Sequence, residues 1–283
     1  MAGTVYTSIS AAGAALRNAM AQYKTSFTVC VRVSSSLTWS HKDLWFPNGS
    51  LAGFNILGPL MTDVRDAVLY EAVKHTGAPN AGDFFTMNIT GVGRSCELSD
   101  YDTNYIEVDC KYTTYSGKQS TAQGQTAWNT WSPILSSMSK TSGETEEAYA
   151  ARAYEKVRTL EATYINPASS SDVIDMSLYG LLVNHQATSG PFACALYSLF
   201  CKGNLDPRVI TGTLHTAGGD IKNHCWVLAK IGSQWYHFDV SQDVKNGTQN
   251  NYFKKTYTAL NDRTLNGPYL RSEWIADHPG TTS

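Results

Sequence analysis

Two stretches of the chain hold side chains suited to acyl chemistry. The first is "QATSGPFACALYSLFC", residues 186–201, with Ser189 at the mouth of an apolar helical pattern and Cys194 five residues further in. A nucleophile at a helix N-terminus meets free backbone N–H groups and the positive end of the helix dipole. Both lower a thiol's pKa and can hold an oxyanion. Pro191 suits the first turn, where its missing N–H costs nothing. Ser189 lies at or next to the N-cap, whereas Cys194 lies about 140° further around a 3.6-residue helix. Position favours Ser189. Chemistry favours Cys194, because an unassisted hydroxyl is a poor nucleophile. The plainer readings are an ordinary serine cap for Ser189 and a core cysteine for Cys194.

The second stretch is "NHCWVLAKIGSQWYHFDVSQD", residues 223–243. Gly232-Ser233 between two alternating runs predicts a two-residue hairpin. In that register Ile231 faces Gln234, Trp226 faces Asp239 and His224 faces Ser241. His224 and Asp239 become diagonal neighbours on one face, about 7 Å apart at the backbone. A carboxylate there would fix the tautomer of the imidazole and stabilise its cation. The plainer reading is an ordinary His-Asp contact in a buried hairpin. His237 shares the face and competes for Asp239. His215 is expected in a solvated loop. His41, His75, His185 and His278 have no companions in sequence and read as surface or loop residues.

These residues need elements to hold them. Helices are expected over "SAAGAALRNAMAQY", over "PLMTDVRDAVLYEAVKHTG" with Gly77 as its stop, over "TAWNTWSPILSSMSK" with a kink or break at Pro133, and over "ETEEAYAARAYEKVRTLEATY" capped by Thr141 or Ser142. A further helix should run from about residue 190 to 202 and end at Gly203. "SLYGLLV" is a short apolar segment, and "NPASSSD" reads as a loop. Strands are expected at "SFTVCVRV", "DFFTMNITGV", "NYIEVDCKYTTY", "PRVITGTL", "HCWVLAKI" and "QWYHFDV". "YSGKQSTAQGQ" reads as a linker, and no pattern emerges after residue 244. The chain divides into an N-terminal α/β module, 1–118, and a core, 119–283. A helix feeding antiparallel strands makes the class α+β.

Bulk properties narrow the function. Apolar residues make up 42% of the 283, charged residues 16%, and the net charge is −2. That is globular composition, without a basic surface for nucleic acid or anionic membrane. No apolar run is long enough for membrane insertion. Nothing at the start reads as a signal peptide, which is compatible with a cytoplasmic protein or with a secreted one whose leader has been removed. The six cysteines are dispersed without CxxC pairs, so neither a metal site nor a disulfide framework is expected. The 7 Trp and 16 Tyr suit a recognition surface and a large core equally well.

Together these motifs resemble the transglutaminase-like superfamily, especially the bacterial branch of papain-like cysteine enzymes. Its nucleophile motif, of the kind "YGALVNGKAVCQGYA", aligns without a gap on "YGLLVNHQATSGPFACALYSLFCKGNLDPRVITG". Its "HAW" and "WYHVDVTWDD" strands align on "HCWVLAKIGSQWYHFDVSQD". "EEAYAARAYEKVRTL" and "NYFKK" resemble the flanking segments, so the likeness runs over roughly residues 105–260. The resemblance implies a papain-like core with the nucleophile at a helix N-terminus on an antiparallel sheet. It implies His224 as general base and Asp239 as orienting acid, with Ser189, not Cys194, at the nucleophilic cysteine position. Gly190, Pro191 and Val227 depart from the family pattern. The implied activity is acyl transfer on peptide or protein amides, as a cysteine peptidase, an amidase or a cross-linking acyltransferase, without a cofactor. Ser189 then has three readings: an engineered replacement that leaves the site inactive, a natural loss that leaves a peptide-binding module, or a working serine nucleophile.

Overall fold

The computed structural model describes residues 4–39, 42–45, 57–84, 92–102, 104–114, 120–167 and 173–265. His41, His278, most of "DFFTMNITGV", and parts of the 115–125 linker and of "NPASSSD" lie outside them. The chain forms two compact units. One comprises residues 1–74 and 91–117, the other residues 75–90 and 118–283. Residues 75–90 thus join the second unit, although they precede the boundary expected near 118.

Among the described residues the first unit is a four-stranded sheet with two long helices and a short helical turn, Lys42–Trp45. Its elements are β1 (Val5–Tyr6), α1 (Ile9–Ala21), β2 (Ser26–Ser34), α2 (Leu57–Val73), β3 (Val92–Tyr101) and β4 (Tyr105–Thr114), and the strand order is β1-β2-β4-β3. Period-2 alternation buries Val29, Val31 and Val33 on β2 and Ile106, Val108, Cys110 and Tyr112 on β4. Leu16 and Met20 of α1 and Leu60, Val64 and Val68 of α2 are also buried. Arg17 donates to the carbonyls of Ala72 (3.0 Å) and Glu71, capping the last turn of α2. α2 ends at Val73, not at Gly77.

The second unit is built around one buried helix. Its elements are α3 (Thr121–Ser137), α4 (Glu146–Arg158), β5 (Thr163–Tyr164), β6 (Gln186–Ala187), α5 (Ser189–Lys202), β7 (Asp206–Thr216), β8 (Gly219–Ile231), β9 (Gln234–Phe238), α6 (Val240–Asn246) and β10 (Arg263–Leu265). The sheet order is β10-β7-β8-β9, all antiparallel. In α5, Ser189 and every residue from Pro191 to Cys201 are buried. A helix apolar on all sides belongs in a core, and its polar groups are matched there. Trp131 Nε1 donates to Ser198 Oγ (2.8 Å), and Tyr149 Oη donates to Leu199 O (2.5 Å). The helix stops at Gly203, where a Cβ would overlap the Tyr149 ring.

Several sequence expectations need correction. Pro133 sits inside an unbroken α3, which starts at Thr121 within the expected linker on a Ser120/Gln123 capping box. Thr145, not Thr141 or Ser142, caps α4. "SLYGLLV" runs into a π-helical turn, Gly180–Asn184. His215 lies in β7 rather than a loop, with Nδ1 2.8 Å from Asp220 Oδ1. His75 is no isolated surface residue, since its Nδ1 lies 2.9 Å from Tyr197 Oη and its Nε2 3.3 Å from Asp206.

Gly212 of β7 pairs with His224 on one side and Leu265 on the other. A Cβ there would overlap Thr264 O and the Trp226 ring. Gly212→Ala is expected to destabilise the second unit by about 1–3 kcal/mol through overpacking, read by urea denaturation. An unchanged midpoint would show that Trp226 can move aside.

Candidate active site

α5 begins from Thr188, an N-cap in extended conformation whose side chain makes no capping bond. Ser189 is therefore the first helical residue rather than the cap, and it is 1% exposed. Its Oγ accepts the backbone N–H of Cys225 at 3.0 Å. That places Ser189 within one peptide unit of His224. The first turn of α5 directs backbone N–H groups that lack helical partners toward the same place.

β8 and β9 pair with Ile231 opposite Gln234 and Val227 opposite Phe238, and Gly232 takes φ +63° at the turn. The strand pairing stops at Phe238, so Asp239 never faces Trp226 in a ladder and Ser241 never faces His224. Asp239 instead caps α6, with Oδ1 accepting from Gln242 N (3.3 Å) and Ser241 Oγ (2.7 Å). The turn into α6 swings its carboxylate onto His224, and Nε2 lies 2.7 Å from Oδ2. Both side chains are fully buried. With Nε2 held by the carboxylate, Nδ1 is the nitrogen left to act as a base, and it has no hydrogen-bond partner.

A β-bulge sets the position of His224. Gly212 pairs with His224 and Leu214 with Ile221, so Lys222 and Asn223 together oppose Thr213. Asn223 takes φ +57° to close this step. Bulges beside active sites commonly re-aim a side chain in this way.

Arg263 is the residue that sequence reading did not reach. From β10 it donates Nη1 to Asp239 Oδ2 at 2.6 Å and Nε to Asp262 Oδ1 at 2.8 Å. Its guanidinium lies 4.9 Å from the Trp226 ring centroid and 5.6 Å from that of Tyr252. A three-residue edge strand has too little periodicity to announce itself. Burial alone would raise the Asp239 carboxyl. The charge and hydrogen bond of His224, then Arg263 and Ser241, outweigh it and hold the carboxyl below the usual range.

His237 does not compete for Asp239. Its Nδ1 accepts from Trp226 Nε1 at 2.9 Å, which puts the proton of the neutral ring on Nε2. Cys194 and Cys225 are poorly placed for chemistry. Burial, then Asp83, pushes Cys194 well above its ordinary value, and its Sγ donates to Phe84 O at 3.6 Å. Burial, then Asp239, pushes Cys225 up to about 12, partly offset by the Ser189 hydroxyl. Among the described residues no cluster of His, Cys, Asp and Glu is arranged to hold a metal, and no helix is long and apolar enough to cross a membrane.

Two measurements test this network. Asp239→Asn leaves Arg263 buried beside a neutral amide, at an expected cost of about 3–5 kcal/mol. The double variant with Arg263→Met should recover part of that loss in a denaturation cycle, and strict additivity would refute the pairing. The second concerns His237, which burial, then the charge of Arg263, lowers to about 4. The folded protein favours the neutral ring, and an unfolded His titrates near 6.5. Its contribution is complete above about pH 6.5 and fades as pH falls toward 4, at roughly 1.4 kcal/mol per unit. His237→Gln keeps an acceptor for Trp226 and should flatten the stability profile over that range.

No family model matches the chain, and no curated protein matches it. Several solved structures align with it at low similarity. A structure described as a TGase aligns with TM-score 0.37 and 9% identity over 82% of this chain and 56% of its own, so this chain spans little more than half its length. A Cytophaga hutchinsonii protein, provisionally named a cysteine protease, gives TM-score 0.29 and 13% identity over 62% and 73%. The periplasmic domain of TgpA from Pseudomonas aeruginosa, in its ethylmercury-bound form, gives TM-score 0.29 and 12% identity over 54% and 66%.

Proposed function

We propose that this protein has an acyl-transfer site of the transglutaminase-like and cysteine protease-like kind, with position 189 as the nucleophile position, His224 as general base and Asp239 as orienting acid. The observation that carries the reading is the His224 ring. One nitrogen is held by a buried carboxylate, the other is unpartnered, and Ser189 stands one peptide away at the start of a buried helix. A base held by an acid and left open toward a nucleophile is the recurring arrangement of such sites.

With a thiol at 189, the steps balance simply. The S–H proton passes to His224 Nδ1 as sulfur bonds to the carbonyl carbon of an amide. The C–N bond then breaks, and the amine leaves with that proton. Water or an amine attacks the acyl-enzyme and restores the thiol. Backbone N–H groups at the start of α5 are placed to stabilise the oxyanion. No metal or cofactor takes part in these steps. The substrate class is a peptide bond or a side-chain carboxamide of a peptide or protein.

With Ser189 itself, the site lacks its driving contact. Ser189 Oγ accepts from Cys225 N, and His224 Nδ1 bonds nothing. That favours a second reading, a peptide-binding module on the same fold without turnover. Ser189→Cys separates the two. On the enzyme reading the new thiol is alkylated by iodoacetamide below pH 7, and the variant hydrolyses an amide or incorporates dansyl-cadaverine into casein. Adding His224→Ala should then lower that rate by roughly 10²- to 10⁴-fold. A thiol at 189 that neither labels nor turns over would leave only the binding module.

A further inference from the structure

Among the described residues, three buried side-chain atoms have no hydrogen-bond partner: Tyr164 Oη, His224 Nδ1 and Gln242 Nε2. Buried polar atoms are ordinarily paired, because each orphan gives up its hydration without return. The three lie on neighbouring elements of the second unit. Tyr164 on β5 pairs with Ala187 of β6, two residues before Ser189, and Ile165 N donates to Ala187 O at 2.9 Å. Gln242 and Lys245 stand three residues apart on α6 and so share a face. Lys245 Nζ lies 5.7 Å from the Tyr164 ring centroid, which brings α6 beside β5. The Gln242 backbone N–H also reaches Asp239, whose other oxygen takes His224. Gln242 is 3% exposed and Tyr164 9%.

The three atoms are chemically complementary. Burial, then the charges of Asp239 and Cys225, raises the Tyr164 hydroxyl above its ordinary value, so it stays protonated. Tyr164 Oη–H and Gln242 Nε2–H are donors, and His224 Nδ1 is an acceptor when the ring is neutral and donates Nε2–H to Asp239. An occupant that satisfies all of them offers an oxygen to two donors and a proton to one base. A carbonyl under attack by a protic nucleophile does both.

We infer that the three atoms face one site, where Tyr164 and Gln242, together with the backbone N–H groups at the start of α5, hold the carbonyl oxygen of the acyl donor and stabilise it as an oxyanion. This rests on the acyl-transfer reading above. As the nucleophile bonds to carbon, the C=O electron pair moves onto oxygen and the nucleophile's proton goes to Nδ1. Collapse returns the pair and expels the leaving group. The two donors keep their protons throughout.

The test uses the full chain carrying Ser189→Cys, alone and combined with Tyr164→Phe or Gln242→Leu. Acylation is followed by p-nitrophenol release from p-nitrophenyl acetate, and alkylation at residue 189 by iodoacetamide with peptide mapping. Alkylation proceeds at a methylene carbon and needs no oxyanion donor. Each added substitution should lower acylation by roughly 10- to 100-fold, while alkylation stays within about twofold. The Tm should be equal or higher, since each change removes an unpaired buried polar atom. Acylation and alkylation falling together, or neither falling, would overturn the assignment while leaving the acyl-transfer reading intact. If the thiol at 189 alkylates no faster than glutathione, the acyl-transfer reading fails and takes this inference with it.

Discussion

The second unit depends on one buried negative charge. Asp239 is 1% exposed, and a carboxylate so far from water is tolerable only when fully paired. Its two oxygens take four donors: Ser241 and Gln242 on one, His224 and Arg263 on the other. Those donors come from α6, β8 and β10, so a single carboxylate ties a helix start to two strands of the sheet. The demands spread outward. Arg263 needs aromatic faces, which Trp226 and Tyr252 supply, and Trp226 needs room, which Gly212 leaves. His224 is thus anchored by an arrangement whose first requirement is electrostatic neutrality.

A second buried acid steadies the segment behind it. Asp243, fully buried, accepts from Tyr154 Oη (2.6 Å), Thr248 Oγ1 (2.5 Å), Asn251 N (3.1 Å) and Tyr252 N (3.2 Å). It joins α4 to the chain that follows α6 and sets the ring that lies against Arg263. The two acids sit four residues apart on one short helix, so α6 is held by its polar contacts more than by its length. Seven residues would be marginal on propensity alone.

What the sequence made legible was local. The Gly232-Ser233 turn sets the register of β8 and β9, Gly203 marks the end of α5, and the apolar surroundings of Cys194 point to its burial. Each depends on residues within a few positions of one another. Arg263 is illegible because the partners that tie it to the site, Asp239 and Trp226, lie 24 and 37 positions away, and its strand is three residues long. His75 looks solitary in the sequence for the same reason, its partners Tyr197 and Asp206 being remote. α6 was a missed opportunity. Asp239 is a favoured cap residue and Gly247, at φ +63°, a favoured stop, so both ends were written in the chain. Reading Asp239 only as a strand residue hid its second role.

The bulge at Lys222 and Asn223 has a consequence for how β8 is written. Side chains in a regular strand change sides at every residue, so positions an odd number apart face opposite ways. Ile221 and His224 are three apart, yet both are buried. The extra residue reverses the phase of the strand once. Ile221, near the β7–β8 turn, and His224 can therefore both point inward, although a straight strand would turn one of them out. Removing a single residue at 222 or 223 would present the imidazole to solvent or turn Ile221 outward, without altering one side chain of the site itself.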